Sequence, residues 1–211
     1  MALYELRRAG SYEVSALLTT VTRDYGRISM HGVRQSLLVE QTTSLGYPLE
    51  QVFISKNASN GEYEAKMQEA LEKYLEAGIF TVAFGDIFLE DLRKYREDNL
   101  SKLGMKAVFP IWKRNTGELA RTFVDLGFKA VITCVDSKVL AKEFVGRLFD
   151  EQLLAELPSN VDSCGENGEF HSFVVDGPIF REKVSYGLGD IVLRDNRYFF
   201  CDLIPLTLLS Q

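Results

Sequence analysis

Three short segments of this chain hold the side chains best suited to chemistry. MHGVR, at residues 30–34, places His31 between Met30 and Gly32. GDIFLEDLRKYRE, at 85–97, opens with Gly85 and Asp86 directly behind the apolar run IFTVAF. GENGEFHS, at 165–172, packs Glu166, Glu169 and His171 into eight residues with two glycines. His31 and His171 are the chain's two histidines, and both are expected to sit in glycine-rich loops. A lone histidine is more often a surface or satisfied core residue; two in such surroundings move the reading toward function. Gly85 lets a ligand approach the backbone closely. Asp86 beside it can hold a magnesium ion or cap the following helix, and the residues leave both open. Glu166 and Glu169 flank Asn167-Gly168, a turn-forming pair, so both carboxylates can converge on one ligand. Such a pair can surround a cation, bind a metal or do acid–base work; a solvated hairpin turn is the plainer alternative. Cys164, next to this segment, reads as a buried structural thiol. Glu90 with Lys94, and Arg93 with Glu97, have the four-residue spacing of ordinary surface ion pairs.

The elements that must position these segments follow from hydrophobic periodicity and its breaks. Helices are expected over 1–9, 33–45, 62–77, 88–103 and 117–126, several closed by glycine. Strands are expected over 14–21, 52–55, 79–84, 107–110 and 129–135. Strands alternating with helices, and strands that are continuously apolar, predict a parallel sheet covered on both faces. Ligands in such folds sit at the carboxyl ends of the strands, where MHGVR and Gly85-Asp86 fall. The pattern changes after Asp136. A helix is expected over 138–157, a polar loop over 158–168, and short strands over 173–175, 181–186, 191–194 and 198–204. The expected division is therefore 1–136, an α/β domain, and 137–211, a smaller α+β domain.

Composition narrows the function classes. The chain has 211 residues, 46% hydrophobic and 26% charged, with a formal net charge of -6. A mildly acidic chain argues against general binding to nucleic acid or to anionic membranes. No run of eighteen apolar residues is present, so no membrane span is expected. The N-terminal MALYELRRAG has no apolar h-region, which argues against a signal peptide. Cys134, Cys164 and Cys201 are odd in number and widely spaced. That argues against a disulfide framework or zinc knuckle and predicts a cytoplasmic protein.

Taken in order, the segments RISMHGVR, FGDIFLEDLRKYRE and DSCGENGEFHSFVVDGPIF resemble the diphthine–ammonia ligase family of N-type ATP pyrophosphatases. The resemblance implies a doubly wound parallel sheet of the adenine nucleotide alpha hydrolase-like type. It also implies an ATP- and magnesium-dependent ligase: a carboxylate is adenylated, pyrophosphate leaves, and ammonia forms the amide. On this likeness Met30, His31 and Gly32 border the nucleotide, and Gly85 and Asp86 form its floor, with Asp86 near magnesium. Glu166, Glu169 and His171 face the acyl substrate. The family's Ser-Gly-Gly-Lys-Asp-Ser loop precedes a helix resembling the opening Met1-Ala2-Leu3-Tyr4-Glu5-Leu6. The first strand and that loop are thus expected to be missing, and turnover impaired. Members acting on diphthine read Gly-Glu-Gly-Gly-Glu-Phe-Glu-Thr, where this chain has Asn167 and His171 in place of a glycine and a glutamate. The likeness is to the bacterial branch, with the carboxylate substrate left open. The expected partners are ATP, ammonia and that carboxylate, and a homodimer is compatible with the reading. A non-catalytic nucleotide- or metabolite-binding module is the alternative from a different class.

Overall fold

The computed structural model describes residues 1–206. The chain runs α1 (Ala2–Ala9), β1 (Leu17–Thr22), β2 (Arg27–Ile28), α2 (Gln35–Leu45), β3 (Leu49–Ile54), α3 (Asn60–Glu76), β4 (Thr81–Ala83), α4 (Glu90–Lys102), β5 (Lys106–Val108), α5 (Thr116–Asp125), β6 (Lys129–Asp136), α6 (Glu151–Glu156), β7 (Phe170–Asp176), β8 (Tyr186–Arg194) and β9 (Tyr198–Pro205). Several helix starts have a visible local cause. Ser59 Oγ accepts the Glu62 N–H of α3, Asn115 Oδ1 the Glu118 N–H of α5, and Asp150 Oδ1 the Leu153 N–H of α6. Each satisfies a donor that the first turn leaves free.

The fold is mixed α/β with small sheets. Strand β1 pairs in parallel with β3, Leu17 opposite Leu49 through Thr22 opposite Ile54, and β2 adds an antiparallel flap at Val21–Thr22. Strands β4 and β5 form a parallel pair. The third sheet is antiparallel, in the order β7-β6-β9-β8. Strand β6, the last before the expected division at Asp136, is hydrogen-bonded to β7 and β9 on the other side of it. From Ala130 to Asp136 every β6 residue is buried. One hydrophobic core joins Val21 and Leu37 from the N-terminal part to Val131, Ile132, Leu153 and Leu203. A smaller cluster of Leu71, Leu100 and Met105 underlies β4 and β5, with Leu18, Val82 and Ala107 against it.

The structure corrects four readings. The helix expected over 138–157 is a turn, a short 3-10 stretch at Lys142–Phe144, and then α6. The residues between hydrogen-bond to β6 instead: Gly146 N–H to Ile132 O, Ile132 N–H to Arg147 O, and Phe149 N–H to Ala130 O. Gly146, at φ 83°, makes the bend that allows this. The strand expected over 181–186 is irregular until Tyr186, because it is tied to the end of α2: Arg181 N–H donates to Ser44 O, and Glu182 N–H to Ser44 Oγ. His171 lies within strand β7, not in a loop, opposite Cys134 of β6. The strand at 129–135 is antiparallel to its neighbours, not part of a parallel sheet. No helix among the described residues is long and apolar enough to cross a membrane.

Candidate functional site

The first segment is a tight turn between β2 and α2. Gly32 N–H donates to Ile28 O and Ile28 N–H to Val33 O, leaving Met30 at φ 66° and Gly32 at φ 70°. A Cβ on Gly32 would come within 2.7 Å of the Phe200 ring, so glycine is required for the turn to lie on β9. Arg27 donates to Gly32 O at 2.7 Å and to Asp202 Oδ1 at 2.8 Å. Arg34 grips the same carboxylate with Nε and a terminal nitrogen, at 3.0 and 2.6 Å. Burial acts to raise the Asp202 carboxyl, but the hydrogen bonds from Arg34 and Arg27 outweigh it and hold it down to about 2. This clamp ties the turn to the C-terminal sheet.

The clamp's effect is to bring the two histidines together. The rings of His31 and His171 lie 4.6 Å apart, centroid to centroid, tilted by 39°. Burial lowers the His31 imidazole, against a hydrogen bond from its Nδ1 to Ser29 O. A carbonyl only accepts, so Nδ1 carries the proton and Nε2 keeps its lone pair. Burial, and secondarily the charge on His31, lowers His171 to about 4. Two neutral imidazoles thus meet across 140 residues of chain.

The second and third segments also meet. Glu166 Oε1 accepts the Ile87 N–H at 2.6 Å and the Phe88 N–H at 3.4 Å. Burial raises the Glu166 carboxyl, those two N–H groups oppose the shift, and the nearby Asp86 and Asp162 add to it. Asp162 Oδ1 accepts from Cys164 N and Glu166 N, which shapes the loop before the turn. Glu169 is buried and turned into its own loop, accepting from Asp162 N, Asn167 N and Asn167 Nδ2. Its two oxygens organise residues 162–167. Burial pushes the Cys164 thiol up to about 12, with Asp162 and Glu166 adding to the shift, and its Sγ donates to Thr116 O. The thiol is half-buried, where the sequence suggested a buried one.

Asp86 is buried and caps nothing: α4 begins four residues on, with Leu89 at its N-cap. Its partner is Arg96, ten residues along the same segment. Arg96 donates to Oδ1 at 3.1 Å, while its Nε lies 2.8 Å from Oδ2 without a well-aligned hydrogen bond. Arg96 also stacks over Phe84. Gly85 is exposed, and an added Cβ would meet nothing closer than Ala2 at 3.9 Å, so room for close approach exists there. Of the expected surface pairs, Arg93 with Glu97 forms at 2.8 Å, whereas Lys94 turns to Asp98 and Glu90 to Lys113. Among the described residues no three His, Cys, Asp or Glu side chains group as a metal site. A cavity of about 160 Å³ beside β3 and α3, lined in part by Arg23, Glu50, Lys66, Glu69 and Lys73, contains none of the three segments.

The structure therefore joins His31 to His171, and Gly85–Phe88 to Glu166. It shows four residues that sequence reasoning passed over: Arg27, Arg96, Asp162 and Asp202. Arg27 opens RISMHGVR, Asp162 opens DSCGENGEFHSFVVDGPIF and Arg96 lies in FGDIFLEDLRKYRE, but nothing in spacing marks a partner 175 residues away such as Asp202.

Residues 115–198 match the family described as diphthamide synthase C-terminal domain. The matched stretch starts at the N-cap of α5 and contains β6, β7 and the whole GENGEFHS segment. The chain is 30% identical over 111 residues to a diphthine–ammonia ligase of Homo sapiens, covering 50% of this chain and 42% of that protein. It is 31% identical over 114 residues to the Mus musculus protein of that name, and 26% identical over 101 residues to that of Schizosaccharomyces pombe, of which 17% is covered. The matches span less than half the length of these relatives. The resemblance to diphthine–ammonia ligases holds over half of the chain.

Proposed function

We propose that this chain, like the diphthine–ammonia ligases it resembles, serves an ATP-dependent, amide-forming reaction in the cytoplasm. In that reaction a substrate carboxylate oxygen attacks the α-phosphorus of ATP and pyrophosphate leaves. Ammonia then attacks the acyl carbon, and AMP leaves with the bonding electron pair. One observation carries the reading: three segments far apart in the chain converge through Glu166 on Ile87 and Phe88 and through His171 on His31.

In this proposal Met30, His31 and Gly32 border the nucleotide just ahead of the N-terminus of α2, whose partial positive charge favours anions. Gly85 gives the backbone room to meet it. Magnesium entering with the nucleotide fits through one protein carboxylate, since that ion is commonly held by one or two carboxylates and the phosphates. Asp86 would hold it only on releasing Arg96, whose Nε lies 2.8 Å from Oδ2. Bound there, the ion would offset charge building on the departing pyrophosphate. Glu166 and His171 face the acyl substrate; a neutral His171 is in the form that takes the proton shed by the attacking nitrogen. Glu169 acts by holding the loop that presents Glu166. The parallel pairs β1–β3 and β4–β5 are taken as two parts of one doubly wound sheet. Residues 1–136 then supply the nucleotide side and 137–211 the substrate side.

The test is ammonium-dependent pyrophosphate release from magnesium-ATP over a panel of carboxylates. It compares residues 1–211 with a version extended upstream to include the Ser-Gly-Gly-Lys-Asp-Ser loop. The extended protein is expected to turn over. Removing one preorganised donor from a charge-stabilising site costs roughly a hundred- to a thousandfold in rate, and the loop would supply several. Equal release by both would refute the part assigned to the loop. A second reading, a binding module without turnover, draws on the internal use of Glu169 and the pairing of Asp86 with Arg96. Magnesium-ATP binding by the extended protein with no pyrophosphate release on any carboxylate would select it.

A further inference from the structure

Strand β8 lies at the end of the sheet order β7-β6-β9-β8 and, among the described residues, pairs with β9 alone. A bulge between Leu188 and Ile191 interrupts that pairing, and beyond it the strand is apolar for an open edge. Leu188, Ile191, Val192 and Leu193 are 59%, 39%, 39% and 48% exposed. Proteins normally blunt a long apolar edge, because its unpaired N–H and C=O groups template another strand. The pairing with β9 shows where these side chains point. Ile191 lies opposite Cys201, Leu193 opposite Phe199 and Leu188 opposite Leu203. Directly paired residues share a face. Cys201 and Leu203 belong to the main core and Phe199 packs against it, so Ile191 and Leu193 continue the core layer past the point where the described residues cover it.

The two charges on the strand settle what could cover it. Asp190 and Arg194 are both exposed, and neither forms an ion pair within the described residues. They lie two residues either side of Val192. When two copies of this strand run antiparallel about a two-fold axis through Val192, Asp190 of each falls opposite Arg194 of the other. Ile191 of each falls opposite Leu193 of the other, and Val192 meets itself. Moving the axis by one residue along the strand loses both charge pairs. We propose that β8 is a homodimer interface, in which two copies pair edge to edge in this register and their antiparallel sheets become one. The contact is isologous and closed, so it ends at two copies. It covers the exposed apolar face and satisfies the open edge in the same step. The inference is independent of the ligase reading.

Sedimentation equilibrium of the full protein, across a range of concentrations, is expected to show a monomer–dimer equilibrium. Asp190→Arg and Arg194→Asp, each placing like charges opposite each other twice, should each weaken it by at least about tenfold. The double variant Asp190→Arg/Arg194→Asp should restore it. Val192→Cys, on the axis, should cross-link copy to copy on mild oxidation, while Ile191→Cys should not. These positions are at the surface, so circular dichroism should show every variant folded. A monomer at all concentrations would overturn the proposal, and would include the case in which another protein uses the edge. A dimer indifferent to either single reversal, or not restored by the double, would overturn it as well.

Discussion

The antiparallel sheet and the two parallel pairs are held together differently. Strand β6 is buried along nearly its whole length and hydrogen-bonded on both sides. Strands β4 and β5 are three residues each, over a cluster with three buried side chains among the described residues. The first region carries the packing. The second presents its ends and loops to it: the turn after β2 lies on β9, and the loop after β4 donates its N–H groups to Glu166. At Glu166 the candidate chemistry lies where the weakly packed β4–β5 pair touches the strongly packed part. Rigidity on one side sets the geometry, and short strands on the other leave loop ends free to meet a ligand.

Breaking each side separately sharpens the contrast. The largest loss of stability is expected from Leu203→Ala, at a fully buried position of β9. It should cost about 2–5 kcal/mol, and Leu71→Ala in the small cluster should lie at the lower end of that range. Urea unfolding checks both, and equal losses would show that the two regions share one packing density. Next is Asp202→Ala, which frees Arg27 and Arg34 together. Asp202 is lowered to about 2 in the fold from an unfolded value near 3.8. Its contribution is thus present above about pH 4 and lost as pH falls through that value toward 2. With screening at a partly exposed site, about 1–2 kcal/mol is expected. A variant whose stability falls with acid as steeply as the parent's in that window would show the clamp to be idle.

Much of the fold is legible in sequence, where local signals and tertiary demands agree. The helix expected over 62–77 appears as α3, because Ser59 caps it and its apolar spacing matches its buried side. Residues 138–157 fail for the opposite reason. Their periodicity suits a helix, but the backbone of 146–149 completes hydrogen bonds along β6, a demand that exists only once the sheet is formed. The site divides similarly. Glycine, acid and histidine marked the three segments. That Glu169 would point into its own loop, or that Arg96 would meet Asp86, depends on folded geometry and left no trace in spacing.

Glu169→Gln replaces an oxygen acceptor by a donor facing backbone N–H groups, so about 1–3 kcal/mol should be lost along with turnover. Unchanged melting with lost turnover would assign Glu169 to the substrate directly. His171→Asn tests the imidazole. His171 is held near 4, below its unfolded value of 6.5, so the stability it provides is present above about pH 6.5 and is lost as pH falls toward 4. The parent's unfolding free energy should therefore fall across that window more than the variant's does. Parallel curves would mean that the histidine pair titrates like free imidazole. The smallest effect is expected at Glu97→Ala, which removes an i,i+4 surface pair with Arg93 and should cost no more than about 0.5 kcal/mol.

The double pairing of β6 has a consequence for how the molecule breathes. Its amides lie in a buried strand with partners on both sides, so protons from Ala130 to Asp136 should trade with deuterated solvent only when the whole chain opens. The amides of β4 and β5 can trade through a local opening of a three-residue pair. The loop that donates to Glu166 hangs from the strand that opens, while Glu166 itself follows the α6 loop into the slow sheet. The contact between them should therefore part and re-form many times within one lifetime of the native sheet, giving a ligand repeated chances to enter without any loss of the core.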